Sequence, residues 1–195
     1  REFVPARTAP AVRLDDGTVI VESLAIAEEL ASRHPDAGLW PQDPRARATA
    51  RSLAAEMHAG FAALRSHCPM NLRLAYVDCA PPPAVLADLA RLEVIWANAR
   101  AVSGNAGRWL CGAYSAADAF FAPVATRIAG YNLPVGSGAM AYVAAHLAHP
   151  SFRKWRAMGL VDGADQPFYD RPYARGPWPG PVPLAARAVA AGPSV

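Results

Sequence analysis

The sequence lacks the patterns by which several protein classes are recognised. It has three cysteines, Cys68, Cys79 and Cys111, which are widely spaced and form neither a Cys-x-x-Cys motif nor a metal-type pairing with histidine. It contains no run of about 18 uninterrupted apolar residues, and no charged-then-apolar leader opens it. We therefore expect a cytoplasmic protein without a membrane span, a redox dithiol or a metal site, in which the cysteines are reduced packing residues.

Composition and charge narrow the range of partners. A hydrophobic content of 53% over 195 residues is enough to build a buried core in one large or two small domains. The net charge of +3 comes from scattered arginines, of which Arg45, Arg47 and Arg51 form the tightest group. A solvated helix face explains that group better than a nucleic-acid surface does, so we predict no binding to nucleic acid.

An early segment predicts a β-hairpin followed by a helix. Two apolar runs, 11–14 and 18–21, flank Asp15-Asp16-Gly17, whose glycine supplies the positive φ angle of a tight turn. Ser23 then precedes apolar residues at helical spacing, and its hydroxyl is expected to cap the first helical turn. The same pattern predicts that the helix ends at His34-Pro35.

Pro10 stands where the first strand begins, a position at which proline removes no hydrogen bond of the ladder. A trans peptide bond is the commoner state of such a proline. A cis bond would instead turn the backbone of Ala9 outward as a donor and acceptor pair. The residues alone leave both states open.

From Asp43 onward the pattern is helical. Asp43-Pro44 reads as a helix N-cap followed by a first-turn proline. An apolar stripe at spacings of three and four then predicts one long helix down to Pro69; its members are Leu53, Met57, Phe61, Leu64 and Cys68. A second long helix is expected from Pro81-Pro82-Pro83 to Ser103-Gly104-Asn105.

The remaining helices are predicted from caps and apolar spacing. Ser115 and Asp118 form a capping box, with Asp in place of Glu, that favours a structural role for both side chains. Two further helices are expected over 139–147 and 151–158. His146 and His149 are three residues apart but lack an accompanying carboxylate or cysteine, so we interpret them as surface or cap residues.

These features together resemble a bacterial cytosolic glutathione transferase. The resemblance begins with the run from Ala9-Pro10 to Glu22-Ser23 and continues with Leu39-Trp40-Pro41. It includes the helical segments around residues 56–61 and 69–73, and it extends to about Gly159.

The resemblance implies an α/β plus all-α fold. Residues 1–38 would be the C-terminal half of a thioredoxin-like glutathione-binding domain, and residues 39–160 an all-helical domain. Beyond the resemblance, the proline-rich composition of residues 161–195 predicts an extended tail whose aromatic residues dock on the surface. A complete domain of this type begins with a βαβ unit of roughly thirty residues, which nine residues before Pro10 cannot supply. We therefore expect about forty to fifty residues to precede Arg1.

The resemblance also implies a glutathione site. The backbone of Ala9, before a cis Pro10, would pair with the cysteinyl part of glutathione, and Ser23 at the helix N-terminus would hold the γ-glutamyl carboxylate. Glu22 would hold the ammonium group. A second pocket for an apolar electrophile is assigned to Met57, Phe61 and Arg65, although core packing is the stronger interpretation of Met57 and Phe61.

The implied activity is transfer of the glutathione thiolate to an apolar electrophilic small molecule by a homodimer, with glutathione as co-substrate and without a metal. The thiol-activating residue would lie outside this chain. Two alternatives stay open at this point. One is a non-catalytic binding or scaffold protein that keeps the architecture, and the other is a glutathione-dependent reductase or peroxidase.

Overall fold

The computed structural model describes residues 3–104, 106–164 and 166–184. By its internal contacts the chain forms two compact units, each assembled from two stretches of sequence. The first unit contains residues 1–61 and 94–121, and the second contains residues 62–93 and 122–195. Within the described residues, no helix is both long enough and apolar enough to cross a membrane.

The first unit opens with the predicted hairpin. Strands β1 (Ala11–Arg13) and β2 (Val19–Val21) pair antiparallel, with Ala11 opposite Val21. Gly17 has a φ angle of 87°, a conformation that costs glycine little because it has no Cβ. The Ala9-Pro10 peptide bond that leads into β1 is cis, as the family resemblance predicts.

Helix α1 (Ser23–Arg33) follows β2 directly. It ends at His34, as predicted, where the His34 N–H donates to the Leu30 carbonyl. The helix starts at Glu22-Ser23, as predicted: Glu22 is the N-cap, with a left-handed φ angle of 72°, and Ser23 is the first helical residue. The predicted capping role of the Ser23 hydroxyl is wrong, because the hydroxyl lies against the His58 ring instead.

Helix α2 (Pro44–Ala59) begins at the predicted cap, where the Asp43 carboxylate accepts a hydrogen bond of 2.8 Å from the Ala46 N–H. The prediction of one long helix is wrong, because the chain leaves the helical conformation at Gly60 and Phe61 before helix α3 (Ala62–His67) begins. The apolar stripe is buried on both sides of the break. Apolar spacing therefore located the buried face correctly but carried no information about the interruption.

Helix α4 (Pro83–Ser103) has the predicted bounds and is followed by Gly104 with a φ angle of 59°. Asn105, the last residue of the predicted stop, lies outside the described residues. Helix α5 (Ala116–Gly130) follows the predicted capping box.

The second unit contains a small antiparallel sheet that the sequence did not predict. Strand β3 (Ala75–Tyr76) pairs with β4 (Arg175–Gly176), so part of the proline-rich segment is held by main-chain hydrogen bonds. Nearby, the Arg156 guanidinium lies 4.2 Å from the centre of the Trp178 ring, in agreement with the expectation that aromatic residues of this segment dock. Residues 185–195 of the predicted tail lie outside the described residues.

Helices α6 (Ser137–Ala148) and α7 (Pro150–Val161) match the two helices expected near the end of the all-helical region. His149 is the predicted cap residue, since its Nδ1 accepts a hydrogen bond from the Ser151 N–H. His146 is not a surface residue, because only 1% of its area is exposed. Burial lowers the pKa of His146 to about 3, with a smaller contribution from His149.

Candidate functional site

Three polar side chains of the first unit converge at the N-terminus of α1. The Ser23 Oγ lies 3.3 Å from the His58 Nδ1, and the His58 Nε2 lies 3.4 Å from a carboxylate oxygen of Glu22. His58 is in the last turn of α2, far from the other two residues in sequence. The imidazole ring therefore connects both side chains that the sequence assigns to the γ-glutamyl group.

The two ring nitrogens of His58 contact different partners. Nε2 lies within reach of the Glu22 carboxylate, and Nδ1 lies at hydrogen-bonding distance from the Ser23 hydroxyl, where the direction of the bond depends on the tautomer of the ring. The Glu22 side chain keeps 57% of its area exposed, so one face of the carboxylate is open to a ligand. The group thus combines an oriented hydroxyl with an accessible negative charge.

The backbone of α1 adds donors to the same place. The first intrahelical bond runs from the Ile26 N–H to the Glu22 carbonyl, so the N–H groups of residues 23–25 precede the regular ladder. Donors at a helix N-terminus, together with the helix dipole, favour a negatively charged ligand group. A carboxylate and an ammonium carried by one ligand would match the donors of α1 and the carboxylate of Glu22.

Ala9 lies in the exposed segment that leads into β1. This segment lines an open depression of about 450 Å³, formed by Phe3, Ala6, Arg7, Thr8, Ala9 and Ala11. The predicted ligand-binding backbone is therefore accessible in this unit.

A second, mostly apolar cleft of about 330 Å³ touches Ser23. Its walls come from α1 and the segment after it, and from the start of α5 and the residues just before it; they include Ile26, Ala27, Leu30, Leu39, Tyr114 and Phe120. Burial, and then the charge of Asp118, raises the pKa of Tyr114, so its hydroxyl stays protonated near neutral pH. Sequence analysis missed this cleft, because its lining is drawn from segments about ninety residues apart.

The residues predicted to form a second pocket have other environments. Met57 and Phe61 are each only 6% exposed in the first unit, which agrees with the core-packing interpretation. Arg65 is exposed in the second unit. Their assignment to a substrate pocket stays a prediction.

Asp118 has the structural role that its sequence position predicts. The buried carboxylate accepts hydrogen bonds from the Ser115 N–H at 3.0 Å, the Ser115 hydroxyl at 3.2 Å and the Leu110 N–H at 3.2 Å. It therefore ties the loop before α5 to the first turn of that helix.

The second unit brings together a group of side chains that sequence spacing did not reveal. One ligand-type atom each from His67, Cys68 and Cys79 lies within 4.8 Å of the others. All three cysteines are free thiols, and Cys68 and Cys111 are buried. Packing explains Cys111, whereas Cys68 and Cys79 are grouped with the His67 ring.

Comparison with known proteins places the α/β part in a family. A profile described as glutathione S-transferase, N-terminal domain, matches residues 1–38. A probable maleylacetoacetate isomerase from Caenorhabditis elegans is 42% identical over 66 residues. That match covers 34% of this chain and 30% of the relative, so it spans about a third of each.

Solved structures extend the likeness over most of the chain. A glutathione transferase from Methylococcus capsulatus is 26% identical, with a TM-score of 0.57, and the match covers 82% of this chain and 78% of that one. A glutathione S-transferase from Rhodospirillum rubrum has a TM-score of 0.56 at 22% identity, over 84% of this chain and 77% of that one. A transferase homolog from Sulfitobacter, solved with bound glutathione, has a TM-score of 0.52 at 22% identity, over 82% and 77%.

The last two likenesses concern the fold, which is a thioredoxin-like α/β segment followed by a mainly helical region, as predicted apart from the short β3–β4 sheet. The first combines that fold with recognisable sequence identity, and the profile match covers the hairpin and α1. Residues 1–38 thus match the N-terminal domain of glutathione S-transferases, and over most of its length the chain is similar in fold to solved glutathione transferases.

Proposed function

We propose that the protein binds glutathione at the N-terminus of α1 and, as a whole, transfers the glutathione thiolate to an apolar electrophile. The observation that carries the proposal is the convergence of Ser23, His58 and Glu22 at that helix end. The profile match over residues 1–38 and the glutathione bound to the Sulfitobacter homolog support the same ligand.

The proposed binding mode uses both charges of the γ-glutamyl group. Its carboxylate would accept hydrogen bonds from the backbone N–H groups and the hydroxyl at Ser23, where the helix dipole favours negative charge. Its ammonium would lie against the exposed carboxylate of Glu22. The exposed backbone of Ala9, next to Pro10, would pair with the cysteinyl part of the ligand.

In this binding mode His58 is a positioning residue. It holds the Ser23 hydroxyl and the Glu22 carboxylate through its two ring nitrogens, so both reach the ligand from fixed positions. Pre-ordering these side chains lowers the entropy cost of binding. We add His58 to the predicted binding residues Ala9, Pro10, Glu22 and Ser23.

The chemistry assigned to the family is nucleophilic attack by a thiolate, which is far more reactive than a thiol. The apolar cleft beside Ser23 is a candidate for the electrophile, because it lies next to the proposed glutathione site and is lined mainly by aliphatic and aromatic side chains. It is an alternative to the predicted pocket at Met57, Phe61 and Arg65.

A second candidate activity is that of the Caenorhabditis elegans relative, maleylacetoacetate isomerase, favoured by the 42% identity over 66 residues. An isomerase leaves the composition of its substrate unchanged, so it consumes no glutathione. Measuring glutathione loss during turnover therefore separates the two activities. The non-catalytic scaffold alternative predicts binding without turnover of either kind.

The proposal includes a cytoplasmic homodimer that binds neither nucleic acid nor a membrane, in line with the charge pattern of the sequence. Light scattering coupled to size-exclusion chromatography would measure the mass of the assembly. A monomer at working concentration would contradict that part of the proposal and leave the ligand assignment standing.

The decisive experiment is calorimetry of the full-length protein with glutathione and with cysteinylglycine, which lacks the γ-glutamyl group. We expect cysteinylglycine to bind at least tenfold more weakly, because it cannot reach Ser23 and Glu22 together. We also expect His58→Phe to weaken glutathione binding about two- to tenfold through the loss of positioned hydrogen bonds. His34→Phe, at the exposed far end of α1, is the matched control. Equal affinity for the two ligands would overturn the proposed site.

A further inference from the structure

We propose that His67, Cys68 and Cys79 form a binding site for a thiophilic transition-metal ion such as Zn²⁺. Their ligand atoms lie within 4.8 Å of one another. In a tetrahedral zinc site the sulfur atoms are about 3.8 Å apart, and sulfur and nitrogen about 3.5 Å apart, given the usual metal–ligand bond lengths. Closing the group around an ion therefore requires movements of about 1 Å, within the reach of side-chain rotation.

The donor set selects the class of ion. Two cysteine sulfurs and one imidazole are soft to borderline ligands, which suit Zn²⁺ and disfavour Mg²⁺ and Ca²⁺. Three protein ligands leave a fourth position, which solvent or a nearby hydroxyl can occupy. The Tyr173 hydroxyl is nearby, since it lies 3.0 Å from the His67 Nε2.

The three ligands are held in place by secondary structure of the second unit. His67 is the last residue of α3, and the carbonyl of the following Cys68 accepts a hydrogen bond of 2.9 Å from the Arg127 Nε. Cys79 comes three residues after β3, whose extension is held by a hydrogen bond from the Val77 N–H to the Ala174 carbonyl. The site is therefore assembled from fixed backbone, although its members are up to twelve residues apart in sequence.

The three side chains of the proposed zinc site differ in their exposure to solvent. Cys68 is fully buried, whereas His67 and Cys79 are partly exposed, so an ion can enter from the side of the latter two. Two cations border the group: the Arg127 guanidinium donates to the Cys68 carbonyl, and the Arg171 guanidinium donates to the carbonyls of Ser66 and His67. Because two thiolates neutralise the charge of Zn²⁺, a bound ion adds no net charge beside these guanidinium groups.

The test is a zinc titration of the full chain, reduced and freed of metal, against a chromophoric chelator. We expect one Zn²⁺ per chain in the wild-type protein and in Cys111→Ser, which removes a buried thiol outside the group and keeps the number of thiols matched. Cys79→Ser and His67→Asn should each weaken zinc binding at least tenfold. Because these two positions are partly exposed, we expect both variants to fold. Circular dichroism would verify that they do.

Cobalt provides a second readout that depends on the ligands themselves. Co²⁺ bound to the wild-type protein should show the intense visible bands of tetrahedral coordination and a thiolate-to-cobalt charge-transfer band, both lost in Cys79→Ser. Zinc affinity unchanged in Cys79→Ser, or cobalt bound without a thiolate band, would overturn the proposal. So would a reduced protein that takes up no zinc and instead forms a disulfide between Cys68 and Cys79 on exposure to air.

Discussion

Ser23 is the residue on which the proposed glutathione site depends most directly. Its hydroxyl contacts His58, and its backbone N–H lies at the start of α1. Replacing the hydroxyl removes one donor to a charged ligand group and leaves the backbone donors in place.

For Ser23→Ala we therefore expect glutathione affinity to fall roughly ten- to hundredfold, the equivalent of about 1.5–3 kcal/mol for one charge-assisted hydrogen bond. Calorimetry on the full-length protein measures it. Ser32→Ala is the matched control, because the Ser32 hydroxyl bonds only within α1, to the Glu28 carbonyl. Equal glutathione affinity in Ser23→Ala would favour the scaffold alternative.

Among the elements, the break between α2 and α3 depends on Gly60. A Cβ at this position would lie 2.8 Å from the Glu56 carbonyl oxygen, a separation at which the backbone must shift. We expect Gly60→Ala to lower the free energy of unfolding by about 1–3 kcal/mol, as overpacking does at other tight sites. Denaturant unfolding measures the change.

Gly138 offers a control for that experiment. It lies in the first turn of α6, and a Cβ there would meet nothing within 4 Å. Because alanine has the higher helix propensity, Gly138→Ala should leave stability unchanged or raise it by up to about 1 kcal/mol. Equal effects of the two substitutions would show that the steric explanation of the break is wrong.

The start of α5 depends on the carboxylate of Asp118. Its three hydrogen bonds are buried, so Asp118→Ala leaves the donors of Ser115 and Leu110 without this acceptor. Losing a simple helix cap lowers the free energy of unfolding by about 1–2 kcal/mol. Because Asp118→Ala also leaves additional buried donors without their acceptor, we expect it to lower the free energy of unfolding by about 3 kcal/mol or more.

Thermal unfolding measures this loss, and glutathione binding below the transition should be unchanged. A loss of affinity at unaltered melting temperature would contradict the structural role of Asp118. Asp118→Asn is an informative companion, because it keeps the size of the side chain and one of the two acceptor oxygens.

Across the whole molecule, the buried His146 makes stability depend on pH. Its pKa falls from an ordinary 6.5 to about 3 in the folded protein, because burial disfavours the charged ring. Below pH 6.5 the unfolded chain therefore binds more protons at this residue than the folded chain does. The stability that the neutral His146 ring contributes to the folded protein is complete above pH 6.5 and is lost progressively as the pH falls toward 3.

When the pH is lowered from 7 to 5, the titration of this single group in the unfolded chain should lower the free energy of unfolding by about 2 kcal/mol. His146→Gln should flatten that part of the stability profile, as measured by denaturant unfolding at a series of pH values. The exposed His34 serves as the control, and His34→Gln should keep the wild-type slope. A wild-type slope in His146→Gln would contradict the prediction.

Local sequence determined the elements whose causes are local. The turn at Gly17, the cap at Asp43 and the stop at His34 depend on backbone preferences and on partners a few residues away, so they could be predicted. The family resemblance added the cis bond before Pro10. It also supplied the assignment of Glu22 and Ser23 to the glutathione site, which stays a prediction.

Only the tertiary structure decided which distant residues meet. His58 contacts Ser23 across 35 positions of sequence, and Tyr173 contacts His67 across 106. Strand β4 pairs with β3 although the two are separated by a similarly long stretch of sequence. Periodicity reports which face of an element is buried, whereas the partner of that face depends on the path of the entire chain. For this reason the apolar stripe was read correctly, while the His58 bridge, the cleft beside Ser23 and the group around Cys79 became visible only in the folded protein.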